Sequence, residues 1–408
     1  MGRAVRLVVL AALVATAALA PAAHASVVPP EQDPFYRYDG SRPLASIAPG
    51  RILKSRVVRY HVIGLELPIR VVQLLYRSTG QLGQPTVNVT SVLRPPLRVG
   101  VAKVISYQSF YDSLDRDDEP SYAIAGGVTF GGLLPTTESV LIVPALLRGY
   151  TVVVPDTEGQ NADFGAGPEY GLNTLDSLRA AFRSHAAGIR ARSRIGLIGY
   201  SGGAIATEWA AELAPRYAPA VNRRIIGAAF GGVLVDPAHN LHYVDGSSVW
   251  AGVMPMAIIG ISRAFNVDLT PYLSDFGVQL GDRLQHASIE QVLSAYPGLT
   301  WTQLAKPQYP TPESVPVYVK VANELIMGSR GTPTAPLFIG QGAGGELEGT
   351  SADKPGIGQG DGVMVTGDVR TLAREYCERG VTVQYTQYDN LAHTSAAFAW
   401  LPEAGNWL

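Results

Sequence analysis

Two hydrophobic rhythms run along this chain. From Ile69 to Tyr76 and from Thr86 to Leu93 (TVNVTSVL) apolar and polar residues partly alternate, which predicts half-buried strands near a sheet edge. Further on come short, mostly apolar and β-branched runs: VAKVISY (101–107), YTVVVPD (150–156), RIGLIGY (194–200) and RIIGAAF (224–230). Such runs suit strands covered on both faces, as in a parallel sheet. Helical stripes separate them. Residues 171–185 align Leu172, Leu175, Leu178 and Phe182, and residues 204–218 align Ile205, Trp209 and Leu213. Alternating strand and helix predicts a wound, mostly parallel α/β sheet with helices on both faces.

The rhythm breaks at about Leu234. As far as Pro312 the pattern is helical and rich in Met, Ile and Leu, which predicts an inserted helical cap. Strand–helix order returns with APLFIGQG (335–342), DVRTLAREYCERG (368–380) and VTVQYTQY (381–388). The expected organisation is a core in two parts, 26–233 and 313–408, split by the cap at 234–312. Ser26 to about Gly50 is proline-rich and reads as an irregular surface wrap. Ahead of it, Arg3 and Arg6 precede an apolar run from Leu7 to Ala20 and the small-residue site Ala23-His24-Ala25. That run is short for a bilayer span and fits a secretory signal over residues 1–25, so the protein is expected outside the cell.

The 408 residues are 47% hydrophobic and 16% charged, which excludes a disordered chain. The net charge of −2 gives no reason to expect nucleic acid or an anionic membrane as partner. Cys377 is the one cysteine, so no intrachain disulfide forms; it reads as a small buried hydrophobe.

The chemistry gathers around Gly199-Tyr200-Ser201-Gly202-Gly203, between a predicted strand and a predicted helix. Gly-x-Ser-x-Gly in that setting is the nucleophile elbow of the α/β-hydrolase fold. The two outer glycines free the bend, and the N–H of Gly202 faces a developing anion. A serine needs a histidine base, which in turn needs a carboxylate, and in this fold the order is Ser, acid, His. Two histidines compete for the base. His286 lies within the helical cap pattern, whereas His393 follows the last predicted strand and is the choice. For the acid, Glu346, Glu348, Asp353 and Asp361 all follow PLFIGQG; glycine-flanked Asp361 is preferred, with Asp353 the main rival. Asp156 and Glu158 are expected to support the floor of the site.

Other motifs read as less specific. Asp236, His239 and His242 have a spacing a metal could use but lack a fourth ligand, and are taken as polar residues at the cap's entry. DRDDE (115–119) is read as an exposed acidic loop, and Asn88-Val89-Thr90 is a glycosylation sequon. GGVTFGG (126–132) lacks the Lys-Ser/Thr ending of a phosphate loop.

Several motifs in order resemble the secretory lipases of the lipase A type. They are SYQSFYDSLDRDDEPS (106–121), PDTEGQNADFGAG (155–167) followed by LDSLRA, GYSGGA, GDGVM, YCERGV and the histidine loop. The resemblance runs from about residue 50 to the C-terminus. It implies that Asp361, standing ahead of Val363, Cys377 and His393, is the acid. It also implies an oxyanion role for the backbone N–H of Asp112 beside that of Gly202, with the Asp112 carboxyl protonated or turned away. Fungal members carry cysteines where Glu119 stands and continue further past the histidine, which implies a more open route to the serine here.

The expected activity is hydrolysis of acylglycerols or similar lipid esters by Ser201, Asp361 and His393, through an acyl-enzyme, with no metal or organic cofactor. The expected partner is a lipid or small-molecule ester, met at a lipid–water interface, with no nucleic acid and no protein partner inferred. Acyl transfer on the same scaffold and non-catalytic lipid binding are the rival readings.

Overall fold

The computed structural model describes residues 27–97, 100–101, 103–351 and 353–408. The secretory signal expected over 1–25 lies outside these residues.

A nine-stranded sheet organises the chain. Its strands are β1 (Ile52–Val62), β2 (Leu65–Thr79), β3 (Pro85–Leu93), β4 (Lys103–Gln108), β5 (Tyr150–Pro155), β6 (Ile195–Tyr200), β7 (Ile225–Gly231), β8 (Leu337–Gly342) and β11 (Val383–Tyr388), with a separate two-residue hairpin of β9 (Asp353–Lys354) and β10 (Gly358–Gln359). The spatial order is β1-β2-β3-β5-β4-β6-β7-β8-β11. The β1–β2–β3 meander joins β5 in antiparallel fashion, and every later pairing is parallel. β6 lies at the middle of the parallel part, so the loop after it opens at the centre of the sheet's carboxyl edge.

Helices cover both faces. On one face Gly167–Arg183, Gly202–Tyr217 and Thr366–Glu378 bury Leu175, Trp209 and Tyr376 against Tyr76 and Leu197. On the other, Leu133–Leu147 and His393–Trp407 pack Ile142 and Trp400 against Val152 and Phe338. Between β7 and β8 the chain is helical, with Pro237–Val244, Val253–Phe265, Asp275–Arg283 and Pro316–Asn323 as its longer pieces. A third apolar core, with Trp250, Met256, Leu280 and Trp301 at its centre, ties these helices to Val363. No helix among the described residues is long and apolar enough to cross a membrane.

Three features differ from the sequence reading. β2 lies near the sheet edge as expected, but it is buried without a break from Val71 to Ser78, because β1 flanks it and the 27–50 wrap covers it. Cys377 is exposed, on the outer side of a helix whose inner stripe is Val369, Leu372 and Tyr376. In DRDDE, Asp118 and Glu119 are buried. Asp118 accepts hydrogen bonds from Ser113 Oγ at 2.7 Å and from Thr129 Oγ1, and Glu119 accepts from Gln160.

Candidate active site

Ser201 sits between β6 and the helix that starts at Gly202, with φ 51° and ψ −121°. A non-glycine residue at positive φ costs on the order of 1–3 kcal/mol and persists only where its surroundings enforce it. Here they do. The Ser201 N–H donates to Gly231 O at 2.9 Å, and its carbonyl accepts from Ala204 N at 2.8 Å. A Cβ at Gly199 would strike the carbonyl of Gly203, and one at Gly203 would strike that of Gln108. Both glycines are therefore required by the close approach of strand, helix and the β4 loop.

His393 begins the last helix, so it is a helical residue, not the loop residue its sequence context suggests. Its Nε2 lies 2.8 Å from Ser201 Oγ, and its Nδ1 lies 2.9 Å from Asp361 Oδ2. Its main chain is held as well: N–H to Asp361 O at 2.7 Å, and O from the Tyr200 hydroxyl at 2.7 Å. Trp250 stands edge-on to the imidazole, with ring centroids 5.4 Å apart. Burial disfavours the imidazolium, but the charge and hydrogen bond of Asp361, helped by Glu348, outweigh it. The His393 pKa therefore lies above its ordinary 6.5.

The Asp361 carboxylate is fully buried and saturated. Oδ1 accepts from Val363 N (3.1 Å) and Met364 N (2.7 Å), and Oδ2 accepts from Gln341 Nε2 (2.8 Å) as well as from His393. These bonds fix the face it turns to the imidazole. Asp353 lies on the exposed β9–β10 hairpin, and Glu346 is exposed. Glu348 has a role its sequence did not reveal: it accepts from Thr394 N at 2.8 Å and Trp250 Nε1 at 3.0 Å, bracing both neighbours of the imidazole. His286 is exposed in the helical segment between β7 and β8, 3.7 Å from Asp115, and it is His393 that meets the serine.

Asp112 lies in the loop after β4, its Oδ1 over the Cα of Gly202, so close that a Cβ there would collide with it. Among the described residues, neither the Asp112 N–H nor the Gly202 N–H has a hydrogen-bond acceptor. Asp112 Oδ1 is also buried without a partner. Burial first, then the carboxylates of Glu290 and Glu138, push the Asp112 pKa up to about 8 against the pull of His393. At neutral pH the carboxyl is mostly protonated, so it adds little negative charge beside the imidazole. Two buried glutamates hold this loop. Glu138 accepts from Phe110 N at 3.0 Å, Tyr107 Oη at 2.6 Å and Ser109 Oγ; Glu158 accepts from Ser113 N at 3.2 Å and Tyr170 Oη at 3.0 Å.

A cleft of about 1070 Å³, its open mouth included, leads away from Ser201, Gly202 and Asp112. Its walls are almost wholly apolar, with Trp250, Met254, Ile258, Ile261, Val317 and Val321 among the lining residues. The arrangement joins a hydroxyl paired with a carboxylate-backed imidazole, two unengaged N–H groups beside it, and a greasy channel.

Residues 127–354 match the secretory lipase family. Lipase A of Arthroderma benhamiae is 31% identical over 95% of this chain and 81% of its own length. The chain belongs to the secretory lipase family. It is an α/β-hydrolase and an enzyme of the lipase and carboxylesterase class. The solved structure of Candida antarctica lipase A in its closed state has a TM-score of 0.79 at 27% identity, covering 93% of this chain and 85% of that one. A Mycobacterium tuberculosis relative named as a probable inactive lipase is 30% identical over 93% of this chain and 81% of its own length.

In this member of the family the other polar motifs serve the architecture. Asp236 caps the helix Pro237–Val244, His239 faces Asp368 at 3.0 Å, and His242 faces Glu313 at 2.6 Å. Asn88 of the sequon is fully buried on β3, donating to Asp156 O at 2.6 Å, where no glycan fits. Asp156 accepts from the N–H (2.8 Å) and hydroxyl (2.6 Å) of Ser121.

Proposed function

We propose that this family member hydrolyses carboxylic esters with long acyl chains, acylglycerols or lipids like them, by a Ser201–His393–Asp361 triad. The observation that carries the reading is the 2.8 Å contact of His393 Nε2 with Ser201 Oγ, backed by Asp361. Ser201 Oγ attacks the acyl carbon as its proton passes to His393 Nε2, and the imidazolium is held in place by Asp361. The N–H groups of Asp112 and Gly202 receive the oxyanion, each worth about 3–4 kcal/mol to the transition state. The imidazolium then protonates the leaving alcohol. Water repeats the sequence in reverse to free the acid. The protonated Asp112 carboxyl places no second negative charge beside the oxyanion.

The apolar cleft supports the chain-length assignment, since each buried methylene contributes about 0.8 kcal/mol. In the same reading residues 1–25 direct export and are removed, and residues 234–312 form a cap inserted between core segments 26–233 and 313–408. The test is labelling by a fluorophosphonate. The wild-type chain reacts and the Ser201→Ala variant does not, and p-nitrophenyl esters then gain kcat/KM as the acyl chain lengthens. An unlabelled wild type would sink the triad and leave a scaffold without catalysis, as its name says of the mycobacterial relative. Labelling with a preference for short acyl chains would sink only the substrate class.

A further inference from the structure

A net charge of −2 hides an uneven distribution. At the edge of the sheet opposite Ser201, the segments that lead into β4, β5, β6 and β7 carry arginine and lysine and no carboxylate; the segment into β8 carries Glu324, which is paired with Arg330. RPPLRVGVAK (94–103) leads into β4 and RGY (148–150) into β5; RSHAAGIRARSR (183–194) leads into β6 and NRR (222–224) into β7. Arg148, Arg183, Arg190, Arg192, Arg194 and Arg223 are exposed, and among the described residues none pairs with an acid. Arg224 lies instead over the Phe182 ring at 4.1 Å. The nearest acidic side chain on the adjoining hairpin is Glu66, which faces His61 at 3.9 Å. Taking these segments away leaves a chain with a clear excess of carboxylates.

The cations are interleaved with apolar side chains that nothing covers. Leu97 is 82% exposed, Leu147 61%, Val101 47% and Ile226 41%. Lys103, Arg192 and Arg194 share one open groove with Val101, Ile226 and Leu408. Arg94, Arg183 and Arg190 line a second beside it. A soluble polyanion would be met by the charges alone. Exposed leucines among arginines suit a partner with anionic groups over an apolar interior.

We propose that this face is a docking surface for anionic phospholipid bilayers, with arginines on the headgroups and Leu97 and Leu147 entering the acyl boundary. Six-residue strands separate it from the serine by roughly 20 Å. The chain would thus be held at a membrane by its back, with the ester site turned to the medium. The surface is independent of the triad.

The test is co-sedimentation of the full Ser201→Ala chain, which leaves vesicle lipid intact. Vesicles of phosphatidylglycerol with phosphatidylcholine should bind it, and phosphatidylcholine alone should not. Each cation removed near an anionic surface weakens partitioning about fivefold, so Arg190→Gln, Arg192→Gln and Arg194→Gln together should cost about a hundredfold. Leu97→Ser with Leu147→Ser should weaken vesicle binding and leave binding to soluble polyphosphate unchanged. In the Ser201 background the same substitutions should leave turnover of a short soluble ester unaltered, which shows that the fold is intact. No binding to the anionic vesicles, or binding indifferent to the arginines, overturns the proposal. Binding that needs the arginines, ignores the leucines and is matched by polyphosphate also overturns it, in favour of a polyanion site.

Discussion

Asp112 gives a pH dependence that an ordinary Ser-His-Asp site would lack. The base must be neutral, so the acid limb of kcat/KM lies above pH 6.5, in the direction His393 is shifted. Burial pushes the Asp112 pKa up to about 8, and the carboxyl lies against Gly202, whose N–H receives the oxyanion in the proposed mechanism. Once ionised, it sets one negative charge beside another, at a contact separation taken as about 4 Å. At an effective dielectric of about 20 that costs about 4 kcal/mol, or about a thousandfold in rate. The charged groups that act on Asp112 are His393, Glu290 and Glu138, and the two glutamates oppose its ionisation; Glu158 is itself pushed well above the usual carboxylate range, by burial first and then by Asp112. The wild-type profile should therefore be a narrow bell, falling with unit slope above about pH 8. Asp112→Asn keeps the shape and the backbone N–H and removes the proton. Its alkaline limb should vanish while its rate near pH 7 stays within about tenfold of wild type. The assay is initial-rate hydrolysis of a soluble p-nitrophenyl ester, corrected for background hydrolysis. A wild-type rate that stays flat past about pH 9, or an asparagine variant that keeps the limb, would refute the argument.

Two further outcomes follow from the same geometry. Gly203→Ala drives a methyl into the carbonyl of Gln108, where only backbone can yield; it should cost at least about 1–3 kcal/mol in chemical denaturation and most of the ester activity, and wild-type values would count against the elbow's steric account. Thermal stability should fall as pH rises: burial pushes Asp112 and Glu169 up to about 8, and Asp156, Glu138 and Asp163 up to about 7. In the unfolded chain such carboxyls lose their protons near pH 4, so the folded state binds more protons from there up to about 8. The stabilisation is complete below pH 4 and is lost as pH climbs through the folded values, and a melting temperature that rises from about pH 5.5 to 8.5 would contradict this.

What the sequence disclosed was local. Ser201 is legible because its elbow is written in five consecutive residues, and β4 to β8 because their runs are apolar on both faces. β1 escaped notice: ILKSRVVRYHV interleaves arginine with valine, and its inward side is set by pairing with β2, which no local pattern encodes. The helix Leu133–Leu147 escaped because Pro135 and Pro144 fall inside it. Burial of polar groups was the least legible property. Asn88, Asp118, Glu119 and Glu138 look like surface residues until their partners arrive from distant strands and loops. Cys377 erred the other way, as a residue type usually inside placed on the outer side of its helix. The acid was ambiguous in the local pattern for a related reason: four carboxyls follow β8, and beyond the family resemblance it is the contacts with His393, Gln341, Val363 and Met364 that distinguish Asp361.

Asp361 is anchored to β8 through Gln341, to its own turn through Val363 and Met364, and to the base through both main chain and side chain. None of these attachments passes through the tip of the β9–β10 hairpin just before it, where Pro355 and Gly356 are exposed while Lys354 and Ile357 hold the hairpin to the body. That hairpin is consequently a site for grafting: a peptide or a small domain spliced at Pro355-Gly356 would ride on the enzyme without pulling the carboxylate from its imidazole.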